Sequence, residues 1–204
     1  ELAGESSGLI AGPAAKKKVF NEEWGLGDTF NAAIGQGLTL VTPMQICQML
    51  AAVAADGVVH SPYLVEQIVN ADGSVYETPK RPESRKLELE PRTIQLIQKG
   101  LKGVTQPGGT GAWFANLPVP VAGKTGTAEN PHGQDHGWFI AYAPAEKPNL
   151  VIACIVEQGS YGATASGPIV YEVLEDYLSG KLKPETEEQR KEEKSLAAKS
   201  NNRK

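Results

Sequence analysis

The chain has 204 residues, 40% apolar and 22% charged, a balance that supports one sizeable folded domain and excludes disorder throughout. Twenty basic side chains against 24 acidic ones give a formal net charge of −4, so no basic excess exists for tracking a phosphate backbone, and nucleic acid is excluded as a partner. No uninterrupted apolar run exceeds the seven residues of Leu150 to Val156, where a bilayer span needs roughly 20.

The opening stretch, Glu1 to Phe30, has glycine at 4, 8, 12, 25 and 27 and no sustained apolar period, which predicts loops. It has no Met start and no signal-peptide pattern, and reads as the interior of a longer chain. Order begins at Thr42-Pro43-Met44-Gln45, where Thr at N-cap, Pro at the first helical position and Gln three residues after the cap satisfy the orphan amides of a helix running to about Ala55. Ile46, Met49, Leu50 and Val53 surround it, so it is expected to be central and buried, and Asp56-Gly57 stops it. Tyr63 to Asn70 and Ser74 to Thr78 flank an Asp72-Gly73 turn and predict a hairpin. Pro91 opens an amphipathic helix with Ile94, Ile97, Leu101 and Val104 on one stripe and Lys99 and Lys102 near its negative end.

The cluster Gln106 to Gly111 ends that helix as a loop, and three strands are predicted at Val119 to Thr127, Gly137 to Tyr142 and Leu150 to Glu157. Short connections make them antiparallel neighbours. A last helix is expected to start at Ser166-Gly167-Pro168, carry Val170, Val173, Leu174, Tyr177 and Leu178 on one stripe, and stop at Ser179-Gly180. The fold class is therefore α+β, an antiparallel sheet flanked by helices over residues 1–180. Lys181 to Lys204, with eight basic and five acidic residues and only Leu182 and Leu196 as large apolar side chains, reads as a disordered tail; the alternative is a solvated helix over Pro184 to Ala198. Cys47 and Cys154, distant in sequence and in apolar surroundings, read as two buried free thiols.

The most specific chemistry-bearing string is Gly123-Lys124-Thr125-Gly126-Thr127-Ala128 at the end of the first of the three strands. As a phosphate-binding loop it fails twice: position 118 is Pro where that motif needs Gly, and Asn130-Pro131-His132-Gly133 cannot open the helix that must follow. The competing reading is the Lys-Thr-Gly box of active-site serine transpeptidases and β-lactamases. An ammonium at a strand edge attracts a carboxylate as a point charge, and the hydroxyls of Thr125 and Thr127 can hydrogen-bond the same group. Alternation puts Lys124 and Gly126 on one face of the strand and Thr125 and Thr127 on the other. Gly126 leaves room for an extended peptide or a β-lactam, and the Thr127 N–H can act as an oxyanion-hole donor, a contact worth about 3 kcal/mol of barrier. The box by itself can also be no more than an exposed turn.

The surroundings extend the likeness. Gly4-Glu5-Ser6-Ser7-Gly8-Leu9-Ile10, Gly27-Asp28-Thr29, Asn31, Ala33-Ile34-Gly35-Gln36-Gly37, Thr42-Pro43-Met44-Gln45, Val121 to Glu129, and Trp138-Phe139 followed by Ala141-Tyr142-Ala143-Pro144 occur in one order. In these strings the chain resembles the class B penicillin-binding proteins, particularly the rod-elongation type, over roughly residues 1–180. The resemblance implies a peptidoglycan D,D-transpeptidase that cross-links stem peptides through an acyl-serine. Lys124, Thr125 and Thr127 would hold the donor's terminal carboxylate or that of a β-lactam, beside Gly126 and Trp138. It implies no metal or organic cofactor, a cell-wall glycosyltransferase partner, and a place on the periplasmic face of the cytoplasmic membrane, with the anchor outside this chain.

One departure matters. No serine here is followed three residues later by lysine, and a Ser-x-Asn triplet occurs only at Ser200-Asn201-Asn202 in the tail. The nucleophile and second motif are expected upstream of Glu1, so that this chain works with the N-terminal part of the same domain, Lys124 protruding into a cleft whose attacking hydroxyl comes from that part. Two further readings stay open: a non-catalytic sensor or scaffold on the same fold, and carboxypeptidase or β-lactamase chemistry. His132, Asp135 and His136 have metal-like spacing but Pro131 and Gly133 favour a loop; His60 reads as a strand-end surface residue. Trp24 and Trp113 read as packing aromatics, and Lys16-Lys17-Lys18 as a solvated run.

Overall fold

The computed structural model describes residues 4–182. In chain order these form α1 (Pro13–Phe20), α2 (Leu26–Ala33), α3 (Pro43–Ala54), β1 (Val58–Val59), β2 (Ile68–Val69), β3 (Val75–Glu77), β4 (Arg85–Lys86), α4 (Pro91–Val104), a 3-10 turn (Ala112–Asn116), β5 (Ala122–Ala128), β6 (His136–Ala143), β7 (Leu150–Val156) and α5 (Gly162–Leu178). One compact unit runs to Tyr171 and a second begins at Glu172. The proposed tail, with Pro184 to Ala198 and Ser200-Asn201-Asn202, lies outside the described residues except for its first two positions.

The centre is the antiparallel sheet β5-β6-β7. Its register pairs Thr125 with Phe139 and Phe139 with Cys154, and Gly126 with Trp138 and Trp138 with Ile155. Period-2 alternation then divides the sheet. On one face Ala122 and Tyr142 are buried with Leu50 of α3 and Ala145, against Leu101 of α4, Ile140 and Val151. On the other, Phe139 is fully buried and stacked on Phe114 with ring centroids 4.6 Å apart, while Tyr171 meets Phe114 edge-on. Residues 162–171 of α5 lie on this second face, where a Cβ on Gly137 would come within 3.1 Å of the Ala165 Cβ.

The three strands, the hairpin and the helix from Pro91 stand where periodicity puts them, the hairpin shorter than expected. Thr42 and Gln45 form the reciprocal cap, with bonds of 3.2 Å and 2.9 Å. Five expectations are corrected. The stretch Glu1 to Phe30 is not all loop: α1 and the first five residues of α2 lie in it, held by Lys16, whose ammonium is 2.8 Å from Asp28 and 3.5 Å from Glu22. Lys16 and Lys17 are thus ion-paired rather than simply solvated, Lys17 with Glu23. Helix α3 packs on β6, β7, β1 and α4 but is not buried all round: only Leu50 and Ala52 are fully buried, and Met44 and Met49 stay about half exposed.

The last helix starts one turn earlier than predicted and contains Pro168. Its first turn is closed by Tyr161, whose carbonyl accepts the Thr164 and Ala165 amides at 3.1 Å and 2.9 Å. Ser166 is therefore no cap; it is buried and donates its hydroxyl to the Gly137 carbonyl. Both cysteines are free but half-buried rather than fully buried, and desolvation pushes both thiols above their ordinary value.

Candidate active site

Strand β5 is the last strand on its side of the sheet, so among the described residues its outer edge has no strand partner. Lys124 is exposed there, and its ammonium donates to the Thr125 carbonyl at 2.6 Å. Thr125 lies on the opposite face, its hydroxyl 3.0 Å from that of Thr110, which ties the glycine-rich loop after α4 to the strand. Gly126 faces Trp138 in register, and a Cβ at Gly126 would come within 3.1 Å of the Trp138 Cβ. The half-buried Trp138 thus shares the face of Lys124.

At the end of the strand the Thr127 carbonyl accepts a 2.9 Å bond from the Gln36 side-chain amide, which in turn accepts the Glu129 N–H at 3.2 Å. In an extended strand the N–H and C=O of one residue point the same way, so the Thr127 amide is also directed to the outer edge, away from β6. Support comes from below. Phe139 lies under both Gly123 and Gly111, whose missing side chains admit its ring: a Cβ at Gly123 would stand 3.0 Å from it and one at Gly111 3.2 Å. Gly162, at the start of α5, presses directly on the ladder, where a Cβ would fall 2.0 Å from the Trp138 carbonyl oxygen and 2.3 Å from that of Gly126.

The structure therefore brings Lys124, Thr125, Gly126, Thr127 and Trp138 onto one short stretch of paired strand. The described residues do not form a second wall opposite them, so Lys124 stands on an open edge rather than inside a closed cleft. A cavity of about 470 Å³ lies elsewhere, lined by Trp113, Ala163, Thr164, Pro168 and Tyr171. Trp24 bonds Thr29 at 2.8 Å, and the His136 Nδ1 accepts the Gln158 N–H at 3.0 Å. Among the described residues no group of His, Cys, Asp or Glu is arranged to hold a metal. Reading by residue type missed Gln36, Thr110 and Gly162 as parts of this site. For Gln36 a signal existed, a polar side chain set between two glycines.

Comparison with known proteins identifies the family and the fold. The family described as "Penicillin binding protein transpeptidase domain" matches residues 1–175. The peptidoglycan D,D-transpeptidase MrdA of Haemophilus influenzae is 30% identical over 203 residues, covering 89% of this chain and 30% of that protein. Pseudomonas aeruginosa PBP2, solved in complex with WCK 5153, superposes with a TM-score of 0.74 at 31% identity, covering 86% of this chain and 39% of that one. A peptidoglycan synthase complex that coordinates polymerization and crosslinking gives 0.72 at 32% identity, covering 90% and 30%. The chain thus spans well under half the length of these relatives. Its helix-flanked antiparallel sheet and its relatives place it together: the chain belongs to the penicillin-binding protein transpeptidase family, in the class B, rod-elongation branch.

Proposed function

We propose that this chain is the carboxylate-binding lobe of a serine-type peptidoglycan D,D-transpeptidase whose nucleophile is supplied by polypeptide outside it. The observation that carries the reading is the open edge of β5, where one cation, two hydroxyls and an outward-directed amide lie within four consecutive residues. A stem peptide laid along that edge brings its terminal carboxylate to Lys124 and the hydroxyls of Thr125 and Thr127. The serine oxygen then bonds the penultimate D-alanine carbonyl carbon, and the negative charge that develops on the carbonyl oxygen meets the Thr127 N–H. Removing a donor of this kind typically costs about 3 kcal/mol of barrier. As the C–N bond breaks, D-alanine leaves with the proton, and the amine of a neighbouring stem then takes the acyl group from serine. A β-lactam, carrying the same carboxylate, acylates the same oxygen but keeps its ring nitrogen attached.

Ile10, Phe30, Ile34 and Leu40 support a partner on the α1–α3 side: they are 73%, 63%, 75% and 63% exposed, a density of uncovered apolar side chains that a folded surface rarely leaves bare. The N-terminal part of the same domain is the proposed cover. A glycosyltransferase partner and a periplasmic setting are part of the proposal, and the likeness to a synthase complex that coordinates polymerization and crosslinking supports the first; no helix among the described residues is long and apolar enough to cross a membrane.

The test is Lys124→Ala in the full-length protein. Acylation by benzylpenicillin falls at least tenfold, about 1.4 kcal/mol or more. Unchanged acylation kinetics remove Lys124 from the site and the reading with it. Residues 1–204 alone, treated with penicillin, show no adduct by intact mass.

A further inference from the structure

Strand β5 is poorly built to hold an amide still. It contains Gly123 and Gly126, whose backbones sample far more conformations than other residues, and its outer edge has no neighbouring strand among the described residues. Yet an oxyanion donor acts by being fixed before charge develops. Something other than a strand must restrain Thr127.

The Gln36 carboxamide has the required geometry. Its nitrogen donates to the Thr127 carbonyl at 2.9 Å and its oxygen accepts the Glu129 N–H at 3.2 Å. One amide group bonding the C=O of residue i and the N–H of residue i+2 reproduces what a single residue of a parallel neighbouring strand would do. Gln36 thus stands in for a missing strand over one residue pair and leaves the edge beside Lys124 and Thr125 open. The two peptide planes at Thr127 share its Cα, so fixing the carbonyl fixes ψ there and leaves the outward N–H only the narrow φ range of an extended residue.

Gln36 is itself held by backbone chemistry. Helix α2 ends in a paired closure in which the Gln36 amide donates to the Asn31 carbonyl at 2.9 Å and the Gly35 amide to the Ala32 carbonyl at 3.1 Å. Gly35 and Gly37 take φ of +78° and +83°, left-handed values that favour glycine, and a Cβ at Gly37 would also come within 3.2 Å of the Asn31 Cβ. The helix end aims the carboxamide, and the carboxamide aims the strand.

We infer that Gln36 is a positioning residue for catalysis, which acts through the Thr127 backbone by clamping the end of β5 so that the Thr127 N–H is preset as an oxyanion donor. The inference rests on the transpeptidase reading above. Because Gln36 bonds the Thr127 backbone carbonyl and not the side-chain groups that take the carboxylate, its loss slows the chemical step and leaves the preceding non-covalent complex intact.

The experiment uses the full-length protein and benzylpenicillin, with pre-steady-state kinetics that separate the dissociation constant of the initial complex from the acylation rate constant. Gln36→Ala lowers the rate constant at least tenfold and changes the dissociation constant less than twofold. Gln36→Glu keeps an acceptor for Glu129 but sets a carboxylate oxygen against the Thr127 carbonyl; it lowers the rate constant similarly while the Glu129 amide stays protected from hydrogen exchange. Unchanged acylation in both variants, or a loss carried by the dissociation constant, overturns the proposal, and if Lys124→Ala is still impaired the transpeptidase reading survives. An unimpaired Lys124→Ala defeats that reading and this inference together. Should the variants not fold, the unsubstituted protein decides: Glu129 lies beyond the ladder, so slow exchange of its amide supports the clamp and exchange at the free-peptide rate overturns it.

Discussion

Gly162 admits a worked test of how closely α5 is fitted to the site. A methyl group there would sit 2.0 Å from the Trp138 carbonyl oxygen and 2.3 Å from that of Gly126, distances that real Cβ contacts do not show. Both obstacles are backbone, and both belong to the register pair at the middle of the Lys-Thr-Gly box. No side-chain rotation relieves the clash. To restore an ordinary contact the helix start must retreat by about 1.4 Å or more or the ladder must part, and overpacking of this kind costs about 1–3 kcal/mol. At about 2–4 °C per kcal/mol for a domain of this size, Gly162→Ala lowers the melting temperature by roughly 2–12 °C. Retreat also withdraws Gly167 from Trp113 and Phe139, against which it is closely fitted. Calorimetry of the full-length protein reads the first effect, and penicillin acylation far below the melting temperature reads the second, expected to fall because the strand bearing Thr127 has moved. A Gly162→Ala protein with unaltered melting temperature and unaltered acylation would show that α5 does not bear on β5 and β6 as described.

Two further substitutions separate layers of the structure. Phe139→Ala empties a fully buried site between Phe114, Gly111 and Gly123 and destabilises by about 3–5 kcal/mol; a loss under 1 kcal/mol by denaturant unfolding contradicts the packing assigned to it. Asp28 is held below the ordinary carboxylate range first by the Lys16 ammonium and then by the Gly25 amide, which it accepts at 2.7 Å. Its folded value lies under its unfolded one, so the stability it contributes is present above the ordinary aspartate range and disappears as pH falls through the folded value. Side-chain carboxyl NMR then finds a midpoint for Asp28 below that of an unfolded aspartate, and Lys16→Met moves it back up; a midpoint at or above the free value contradicts the ion pair.

The sheet and the box were legible because both depend on local rules. Three apolar strands separated by turn residues predict an antiparallel trio, and alternation alone divides Lys124 from Thr125. The α3 start is equally local, a threonine, a proline and a glutamine at fixed offsets. Short helices bounded by glycines are a different case: α1 and α2 have eight residues each and glycine at the N-cap, so no N-cap side chain marks their starts. Pro168 misled because proline is favoured in a first helical turn, whereas here a glycine that fits against two carbonyls starts the helix earlier. The role of Gln36 is tertiary, since its two bonds reach residues 91 and 93 positions away, and no spacing rule spans that distance.

The hydroxyl pair between Thr110 and Thr125 has its own implication for inhibitor response. The glycine-rich loop that carries Thr110 lies on the far side of the strand from the lysine, and it determines whether the Thr125 hydroxyl is already engaged when a drug arrives. On the proposed function, altered drug susceptibility can arise by substitution in that loop, at a position that never touches the antibiotic and leaves every motif residue intact.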